Sequence, residues 1–350
     1  MAAIKAFPLL GLPNDVVLRT IRTMNLEHVL TLSIISDKCK GLVTSSKIKG
    51  THFYVSIRND ITISIETVSS RNNLSYYTEP NKYWGVGANG RKKRLTPPQS
   101  VLIETTEEFA RTPSKWEKKD FTMKAWLEHL QNVFNFQKIG GISFSHRSSE
   151  FDIDDIKHVF GNITRVTIEN TGCLAFNQMI LQHFFPIEDL TIMAENFRDS
   201  KIPPSLLMQN HVRLHISENG FPMNITLNEL LLFNSKVITV ENPQMPQKLL
   251  NNFIKLWQKG SNPHMEYLCV DYFDGDENDE QIVMKGIRHE VNSVDRVKNF
   301  KYVESNHLGP VYGGMDIHRM DGVKATVTYL KSHGLSVWYM YVWFDHCVAE

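Results

Sequence analysis

The chain has 350 residues, 42% of them apolar and 22% charged, which is the balance of an ordinary globular protein. Lys and Arg together number 38, as do Asp and Glu, so the formal net charge is zero. A protein that neutralises many phosphates usually carries a basic excess, so nucleic acid is not the expected partner. The sequence has neither a signal peptide nor an apolar run long enough to span a membrane. We therefore expect a cytoplasmic and/or nuclear protein that makes no membrane contact.

The cysteines predict neither a disulfide framework nor a metal site. They are Cys39, Cys173, Cys269 and Cys347. They form no closely spaced pair, whereas a structural zinc site or a disulfide framework usually has one. His211 and His215 are four residues apart, but the segment around them is predicted as a strand, where that spacing covers about 13 Å. We therefore expect no metal and no cofactor.

The N-terminal segment predicts three short helices. Pro13 suits the first turn of a helix, where its missing N–H costs nothing. Apolar residues then recur at helical spacing in three runs, which include Val16, Val17, Ile21 and Met24, then Leu26 to Ile34, then Cys39, Leu42 and Val43. Helices this short cannot bury their apolar residues among themselves. The segment must either cap the rest of the chain or offer an apolar surface to a partner.

The order of residues in this segment is distinctive. It runs FPLL from Phe7, then Leu12-Pro13, Val16-Val17, Ile21, Met24, and Leu32-Ser33 with Ser36. This order resembles an F-box, particularly the form found in the large nematode F-box families, although it lacks the Trp that many F-boxes carry near the end of the third helix. The resemblance implies binding to the Skp-type adaptor of a Skp–cullin–F-box ubiquitin ligase, and through it to a cullin. The residues that match the adaptor-facing motif are Phe7, Pro8, Leu12, Pro13, Val16, Val17 and Ile21.

The next segment changes to a period of two. The runs FYVSI and ITISI around Arg58-Asn59-Asp60 predict a β-hairpin, and a third strand is predicted at Val101 to Ile103. The stretch from Asn72 to Pro98 is rich in turn residues and contains GVGANG, a formal match to a dinucleotide-binding loop. Basic residues and then Pro97-Pro98 follow it, so no long helix can begin there and no cofactor site is expected. The basic run RKKR is interpreted as a solvated loop.

Short apolar-x-apolar runs return at a fixed interval in the second half of the chain. After a helix predicted at Thr122 to Asn135, their last residues are Phe144, Ile168, Ile192, Ile216 and Val240, a step of 24, and a sixth ends at Val270. Helical segments lie between them, and Thr226 with Glu229 fits a capping box. One strand and one helix per repeat predict an irregular leucine-rich-repeat-like α/β region. A non-repeating α/β layer with coincidental spacing is the alternative.

The C-terminal part predicts a three-stranded antiparallel meander. Its strands are Met315 to Arg319, Val323 to Leu330 and Leu335 to Phe344, with turns at Asp321-Gly322 and His333-Gly334. The last strand is apolar on both faces, which predicts an inner strand. From about Thr122 to Phe344 the chain also resembles the type-2 F-box-associated domain of nematode proteins. The predicted domains are an F-box at 7–48, a hairpin and loop-rich connection at 49–121, and an F-box-associated repeat-like domain at 122–350.

No catalytic arrangement is evident, so we expect that the chain is not an enzyme. There is no G-x-S-x-G elbow, and the acidic residues of Asp271 to Glu280 do not match a calcium-binding loop. The expected function is that of a substrate-recognition adaptor of a Skp–cullin–F-box ligase; the alternative is an interaction scaffold outside such a complex. The residues expected to contact a protein target follow the repeat strands: Glu169, Asn170, Glu195, Asn196, Glu218 and Glu241.

Overall fold

The computed structural model describes residues 9–67, 71–77, 92–95, 100–105, 114–116, 121–193, 197, 201–217, 224–241, 243, 245–273, 279–302, 308–332 and 335–348. The chain forms two compact units. The first contains Met1–Ile163 and Gln178–Phe185, and the second contains Thr164–Asn177 and Pro186–Glu350. Three successive α-helices and a run of strands come first, and helices and strands then alternate between Met123 and Val283, so the predicted α/β class is confirmed. The predicted domain bounds of 7–48, 49–121 and 122–350 stay predictions.

The first unit begins with helices and continues with a mainly antiparallel sheet. Its helices are α1 (Asn14–Thr23), α2 (Leu26–Ile35), α3 (Asp37–Ser45), α4 (Met123–Phe134) and α5 (Ile153–Phe160), with short 3₁₀ helices at Leu9–Gly11 and Ser148–Glu150. Its strands are β1 (Gly50–Ile57), β2 (Ile61–Thr67), β3 (Arg71–Tyr77), β4 (Ser100–Thr105), β5 (Ser114–Trp116) and β6 (Gly141–Phe144). The three N-terminal helices and the helix from about Thr122 are therefore confirmed.

The predicted hairpin is β1 and β2, which pair antiparallel with Ile57 opposite Ile61. Alternate residues of both strands are buried, as the period of two requires. On its other side β1 pairs in parallel with β6. The prediction of a turn-rich stretch from Asn72 was wrong at its start, because β3 lies there and pairs with β2 and β4. Asn-Asn at its start is typical of a turn, and pairing on both edges overrides that local preference. GVGANG lies outside the described residues.

The second unit contains the repeating strands. They are β7 (Arg165–Ile168), β8 (Asp189–Met193), β9 (Arg213–Ser217), β10 (Val237–Glu241) and β11 (Tyr267–Phe273), all parallel and hydrogen-bonded in chain order. Each of β7, β8 and β9 aligns with the next strand at a shift of 24 residues, for example Arg165 with Asp189 and Arg213 with Val237. The sequence period is thus the register of the sheet, and the repeat-like prediction is confirmed for these strands.

Helices connect the parallel strands. They are α6 (Leu174–His183), which crosses the division between the units along the chain, α7 (Pro204–Leu207), α8 (Leu227–Leu232), α9 (Gln247–Gln258) and, after β11, α10 (Asp279–Val283). The capping box predicted at the start of α8 is present: Glu229 N–H donates to Thr226 Oγ1, and the Glu229 carboxylate accepts from Thr226 N–H. The apolar residues of the strands, such as Ile216, Ile238 and Val240, are 0% exposed and form the core.

An antiparallel meander completes the second unit. Its strands are β12 (Glu290–Val291), β15 (Met315–His318), β16 (Lys324–Ser332) and β17 (Leu335–Val342), and a separate hairpin consists of β13 (Val297–Lys301) and β14 (Leu308–Tyr312). β17 pairs with β16 on one side and with β11 on the other, so the predicted inner strand is confirmed. A last 3₁₀ turn covers Asp345–Cys347. Among the described residues, no helix has both the length and the apolar character that a membrane crossing requires.

Candidate partner-binding surfaces

The N-terminal helices are defined by residues that cap their starts. The Pro13 carbonyl accepts the first hydrogen bonds of α1, from Val16 N–H and Val17 N–H at 3.0 Å. The Asn25 side chain accepts from the backbone N–H of the third residue of α2, and Ser36 does the same for α3. These caps satisfy amide groups that a helix start would otherwise leave without partners. Asn25 and Ser36 therefore let α2 and α3 begin directly after very short connections.

One side of these helices is buried in the first unit. Val17 and Ile21 of α1 are 1% and 0% exposed, and Leu30 of α2 is 0% exposed. Two polar contacts hold the helices in place. Arg22 Nε donates to the Ser46 carbonyl at 2.9 Å, which ties α1 to the end of α3. Ser33 Oγ lies 2.8 Å from His129 Nε2, which ties α2 to α4.

Three large apolar side chains in this region are exposed. Leu10 is 45% exposed, Val16 is 39% exposed and Ile35 is 66% exposed. We call these three residues the exposed apolar set. Leu10 lies in the 3₁₀ helix that precedes α1, Val16 lies in α1, and Ile35 is the last residue of α2. All three are therefore held on ordered backbone rather than on a long loop. When a partner covers a large apolar side chain that was exposed to water, the free energy of the complex is lowered.

The residues that match the adaptor-facing motif lie in different environments. Pro13 and Val16 are exposed, and Leu12 is half-buried. Val17 and Ile21 are buried, so their side chains support α1 from within. Phe7 and Pro8 lie outside the described residues. Leu10 and Ile35, which the motif did not single out, are exposed as well, and Ile35 is the last residue of α2.

The second unit carries a polar side on its parallel strands. Side chains at alternate strand positions face away from the core, and the shift of 24 residues stacks them in rows across the sheet. We call this side the polar strand face. Its residues are Arg165, Thr167, Asp189, Thr191, Arg213, His215, Val237, Thr239, Glu241, Cys269 and Asp271. Most are half-buried, in contrast to the strand residues on the opposite side.

Polar side chains of this face contact one another in two places, a three-residue cluster on β7 to β9 and a pair on β9 and β10. Arg165 Nη2 lies 2.8 Å from Asp189 Oδ2, and Arg213 Nη1 lies 3.9 Å from the same oxygen. On β9 and β10, His215 Nε2 lies 2.8 Å from Glu241 Oε1. The side chains of His215 and Glu241 are both more than a third exposed. Their polar atoms are therefore fixed in position and still within reach of a partner.

An aromatic cluster covers the end of the face near β11 and β17. It joins Tyr267 and Tyr341 of these strands to Phe300 of β13 and to Trp343, with Tyr302 and Tyr339 at its edge. The hairpin β13–β14 thus packs over this part of the sheet. Burial raises the pKa of Tyr267, Tyr339 and Tyr341, so these phenols stay neutral at physiological pH.

Cys269 lies between the aromatic cluster and the charged pairs. Burial raises the pKa of its thiol to about 12, and the nearby Asp271 and Glu241 carboxylates act in the same direction, against a hydrogen bond with Tyr267. The thiol therefore stays protonated at neutral pH, whereas a nucleophilic cysteine needs a depressed pKa. The row of Thr191, His215, Thr239 and Cys269 offers hydroxyl, imidazole and thiol groups suited to hydrogen bonding.

The residues expected to contact a target are only partly described. Glu241 ends β10 and pairs with His215 on the polar strand face, and Glu169 and Asn170 directly follow β7. Glu195, Asn196 and Glu218 lie outside the described residues. Sequence reasoning missed His215 as a surface residue, although a signal was present: in the second unit, the middle residue of each apolar-x-apolar run faces away from the core. Reading that position alone gives Thr167, Thr191, His215, Thr239 and Cys269.

Comparisons with known proteins agree with the second resemblance. Residues 202–270, which include β9, β10 and most of β11, match the family model described as F-box associated. The chain is also 23% identical to the Caenorhabditis elegans F-box associated domain-containing protein sdz-33, over 92% of this chain and 93% of the relative. No solved structure matches it. The resemblance is thus confirmed: residues 202–270 match the F-box associated family model, and the chain is similar over most of its length to an F-box associated domain-containing protein.

Proposed function

We propose that the chain is the substrate-recognition adaptor of a Skp–cullin–F-box ubiquitin ligase. The N-terminal helices bind the Skp-type adaptor, and the polar strand face binds a protein target. The observation that supports this most directly is the exposed apolar set on capped helices of a chain similar to F-box associated proteins. In this role the chain does no chemistry of its own and works in the cytoplasm or nucleus.

The exposed apolar set supplies the binding free energy in this proposal. Covering an exposed Val or Leu side chain is worth roughly 1.5–3 kcal/mol at full burial. The residues here are about half exposed, so each contributes about 1 kcal/mol when an apolar partner surface covers it. Pro13, which is also exposed, fixes the backbone direction at the start of α1 and lowers the entropy cost of ordering this region.

The mechanism is proximity. A chain that holds a target on one surface and a ligase on another converts an encounter in solution into a local reaction. This raises the effective concentration of the target at the ligase. The two candidate surfaces belong to different units, the N-terminal helices to the first and the polar strand face to the second. Each can therefore be changed by mutation without altering the other.

An interaction scaffold outside a ligase is the second candidate. It is favoured by the burial of Val17 and Ile21, which match the motif but pack inside the first unit. The Ser33–His129 contact also ties the helices to α4. In this alternative the helices cap the first unit and bind no adaptor.

Binding of a purified Skp-type adaptor to the full chain tests the proposal. The informative variants are Val16→Glu and Ile35→Glu, which place a charge on the exposed side without disturbing the core. We expect each to weaken adaptor binding at least about tenfold, because a carboxylate would be desolvated in an apolar interface. Isothermal titration calorimetry or co-purification measures this loss.

The matched control is Val294→Glu, which makes the same substitution at a valine of the second unit that is 78% exposed. It should bind the adaptor as the wild type does. If the wild type shows no binding, or if Val16→Glu and Ile35→Glu bind normally, the ligase proposal fails and the scaffold takes its place.

A further inference from the structure

Three potential metal ligands meet at the start of β11. They are the Glu266 carboxylate, the His346 imidazole and the Cys347 thiol, whose ligand atoms all lie within 4.8 Å of one another. His346 Nε2 is 3.0 Å from Glu266 Oε1, and Cys347 Sγ is 3.7 Å from Glu266 Oε2. We propose that this Glu–His–Cys cluster is a zinc-binding site, independent of the surfaces that serve the proposed function.

The backbone around the cluster is fixed by the sheet. Glu266 precedes β11, and its N–H donates to the Lys236 carbonyl at 2.7 Å. The Glu266 carbonyl accepts from Val342 N–H at 2.9 Å, at the end of β17. Cys347 N–H donates to the Phe344 carbonyl at 2.9 Å, which closes the 3₁₀ turn that carries both His346 and Cys347. The ligands are therefore positioned before any metal arrives.

The spacing of the ligand atoms suits a tetrahedral zinc ion. Zinc bonds of about 2.0 Å to nitrogen or oxygen and about 2.3 Å to sulfur place tetrahedral ligand atoms roughly 3.3–3.7 Å apart. His346 Nε2 lies 3.0 Å from Glu266 Oε1, and Cys347 Sγ lies 3.7 Å from the other carboxylate oxygen, Oε2. One ligand atom from each residue lies within 4.8 Å of the other two, so side-chain shifts of about 1 Å bring the three groups to tetrahedral spacing. Thiolate and imidazole ligands favour zinc over magnesium and calcium, which prefer oxygen.

Two ligands of the cluster are buried, one of them a carboxylate, and the third is exposed to solvent. Glu266 is 2% exposed and Cys347 is 0% exposed, whereas the His346 side chain is 62% exposed. A carboxylate buried this deeply needs a cation, and Lys236 Nζ now lies 3.1 Å from Glu266 Oε1. Lys236 is 47% exposed, so it can turn outward when a zinc ion takes its place. Water from the His346 side would complete the fourth position.

Binding has a defined proton balance. The Cys347 thiol becomes a thiolate as it bonds to zinc, its proton leaves to solvent, and no oxidation takes place. The bound ion would link the start of β11 to the C-terminal turn. Because only the folded chain brings these ligands together, zinc binding stabilises the second unit by mass action.

The test uses the full chain and two metal probes. Zinc is titrated against a competing chromophoric chelator, which gives its affinity and stoichiometry. Cobalt is added in a separate experiment. A thiolate ligand gives bound cobalt a charge-transfer band, and tetrahedral coordination gives it strong visible bands. We expect one equivalent of zinc and both spectral features. His346→Ala removes a largely exposed ligand without opening the core, and should lower zinc affinity at least about tenfold.

Further variants distinguish zinc binding at this cluster from nonspecific zinc binding elsewhere on the chain. Cys347→Ser should abolish the cobalt charge-transfer band, whereas Cys269→Ser, which removes a thiol of the polar strand face, should leave it unchanged. Lys236→Ala should raise zinc affinity because it removes the competing ammonium group. The proposal is overturned if the wild type binds no zinc at micromolar concentration, or if His346→Ala binds zinc as tightly as the wild type.

Discussion

Ser33 Oγ of α2 and His129 Nε2 of α4 lie 2.8 Å apart in the interior of the first unit, where the two residues are 2% and 4% exposed. The Ser33 hydroxyl also donates to the Leu30 carbonyl at 2.7 Å. Since a hydroxyl has one proton, His129 Nε2 carries the hydrogen and donates to Ser33. This hydrogen bond joins the N-terminal helices to α4, across a sequence separation of 96 residues.

The first prediction concerns this contact. Ser33→Ala removes the acceptor for His129 Nε2–H within a buried site, which should lower the free energy of unfolding by about 1–3 kcal/mol. Urea denaturation of the full chain measures the loss. Ser45→Ala, at an exposed position of α3, serves as the control and should change stability by less than about 0.5 kcal/mol. Equal stability of Ser33→Ala and the control would contradict the assigned role.

The second prediction separates the two sides of α1. Ile21→Glu places a carboxylate at a position that is 0% exposed, and should cost more than about 4 kcal/mol or unfold the N-terminal helices. Val16→Glu, at an exposed position, should change stability by less than about 1 kcal/mol. Circular dichroism and urea denaturation compare the two variants. An equally mild effect of both would show that α1 does not pack as described.

The third prediction concerns Asp316, which is 1% exposed in β15. Burial opposes ionisation of this carboxyl, but hydrogen bonds from Lys324, Thr326 and Arg296 outweigh it and lower its pKa to about 2. Lys324 Nζ lies 2.8 Å and Arg296 Nη1 lies 2.6 Å from Asp316 Oδ2. The carboxylate is therefore stabilised in the folded state.

The sign of the pH dependence follows from this lowered pKa. The contribution of Asp316 is fully present above the unfolded pKa near 4 and is lost as pH falls towards 2, by roughly 2 kcal/mol in total. Denaturation at several pH values between 5 and 2 measures it. Asp316→Asn should be less stable at pH 7 by about 3 kcal/mol and should lose this part of the acid dependence. An unchanged acid dependence in Asp316→Asn would rule out this assignment.

The fourth prediction concerns His215 on the polar strand face. Its contact with Glu241 is more than a third exposed, so His215→Ala should change the free energy of unfolding by no more than about 1 kcal/mol. If this face binds the target, the same variant should lose target proteins that co-purify with the wild type. Val16→Glu should show the opposite pattern, keeping the targets and losing the adaptor. Retention of every co-purifying protein by His215→Ala would remove this residue from the target surface.

The fifth prediction concerns Arg319, which is 5% exposed at the turn between β15 and β16. Its guanidinium donates through Nε and Nη2 to the Asp321 carboxylate and through Nη1 to the Pro263 carbonyl, and it lies over the Trp257 ring at 5.3 Å. Lys cannot reproduce this planar set of donors, so Arg319→Lys should cost about 1–3 kcal/mol. Thermal denaturation compares it with Arg288→Lys at an exposed position, which should be neutral.

Local sequence patterns determined much of the architecture. The three N-terminal helices, the hairpin and the strands spaced by 24 residues follow from periodicity and turn residues, because burial on one side imposes the same period on structure and sequence. The inner position of β17 follows from a different signal, the apolar residues on both of its faces. β3 was missed since its Asn-Asn start favours a turn locally. Pairing with strands on both sides, a non-local interaction, decided that segment.

Burial was decided by tertiary packing. Val16 and Val17 are adjacent and chemically identical, yet one is 39% and the other 1% exposed, because only the side of α1 towards the other helices is covered. Helical spacing places Val17 on the same side of α1 as Ile21, four residues later, but the packing of the folded chain decides that this is the covered side. The F-box resemblance could therefore name both as partner contacts, while only the folded chain shows which of them water reaches.

The polar groups were brought together by the sheet. Glu241 was predicted from its place after a repeat strand, but its contact with His215 depends on the register of β9 and β10. Glu266 and Cys347 are 81 residues apart and share no motif. The antiparallel pairing of β11 with β17, which sets Tyr267 opposite Tyr341, brings the C-terminal turn back to Glu266. The sequence by itself thus determined the elements and their repeat, and long-range strand pairing decided which side chains meet.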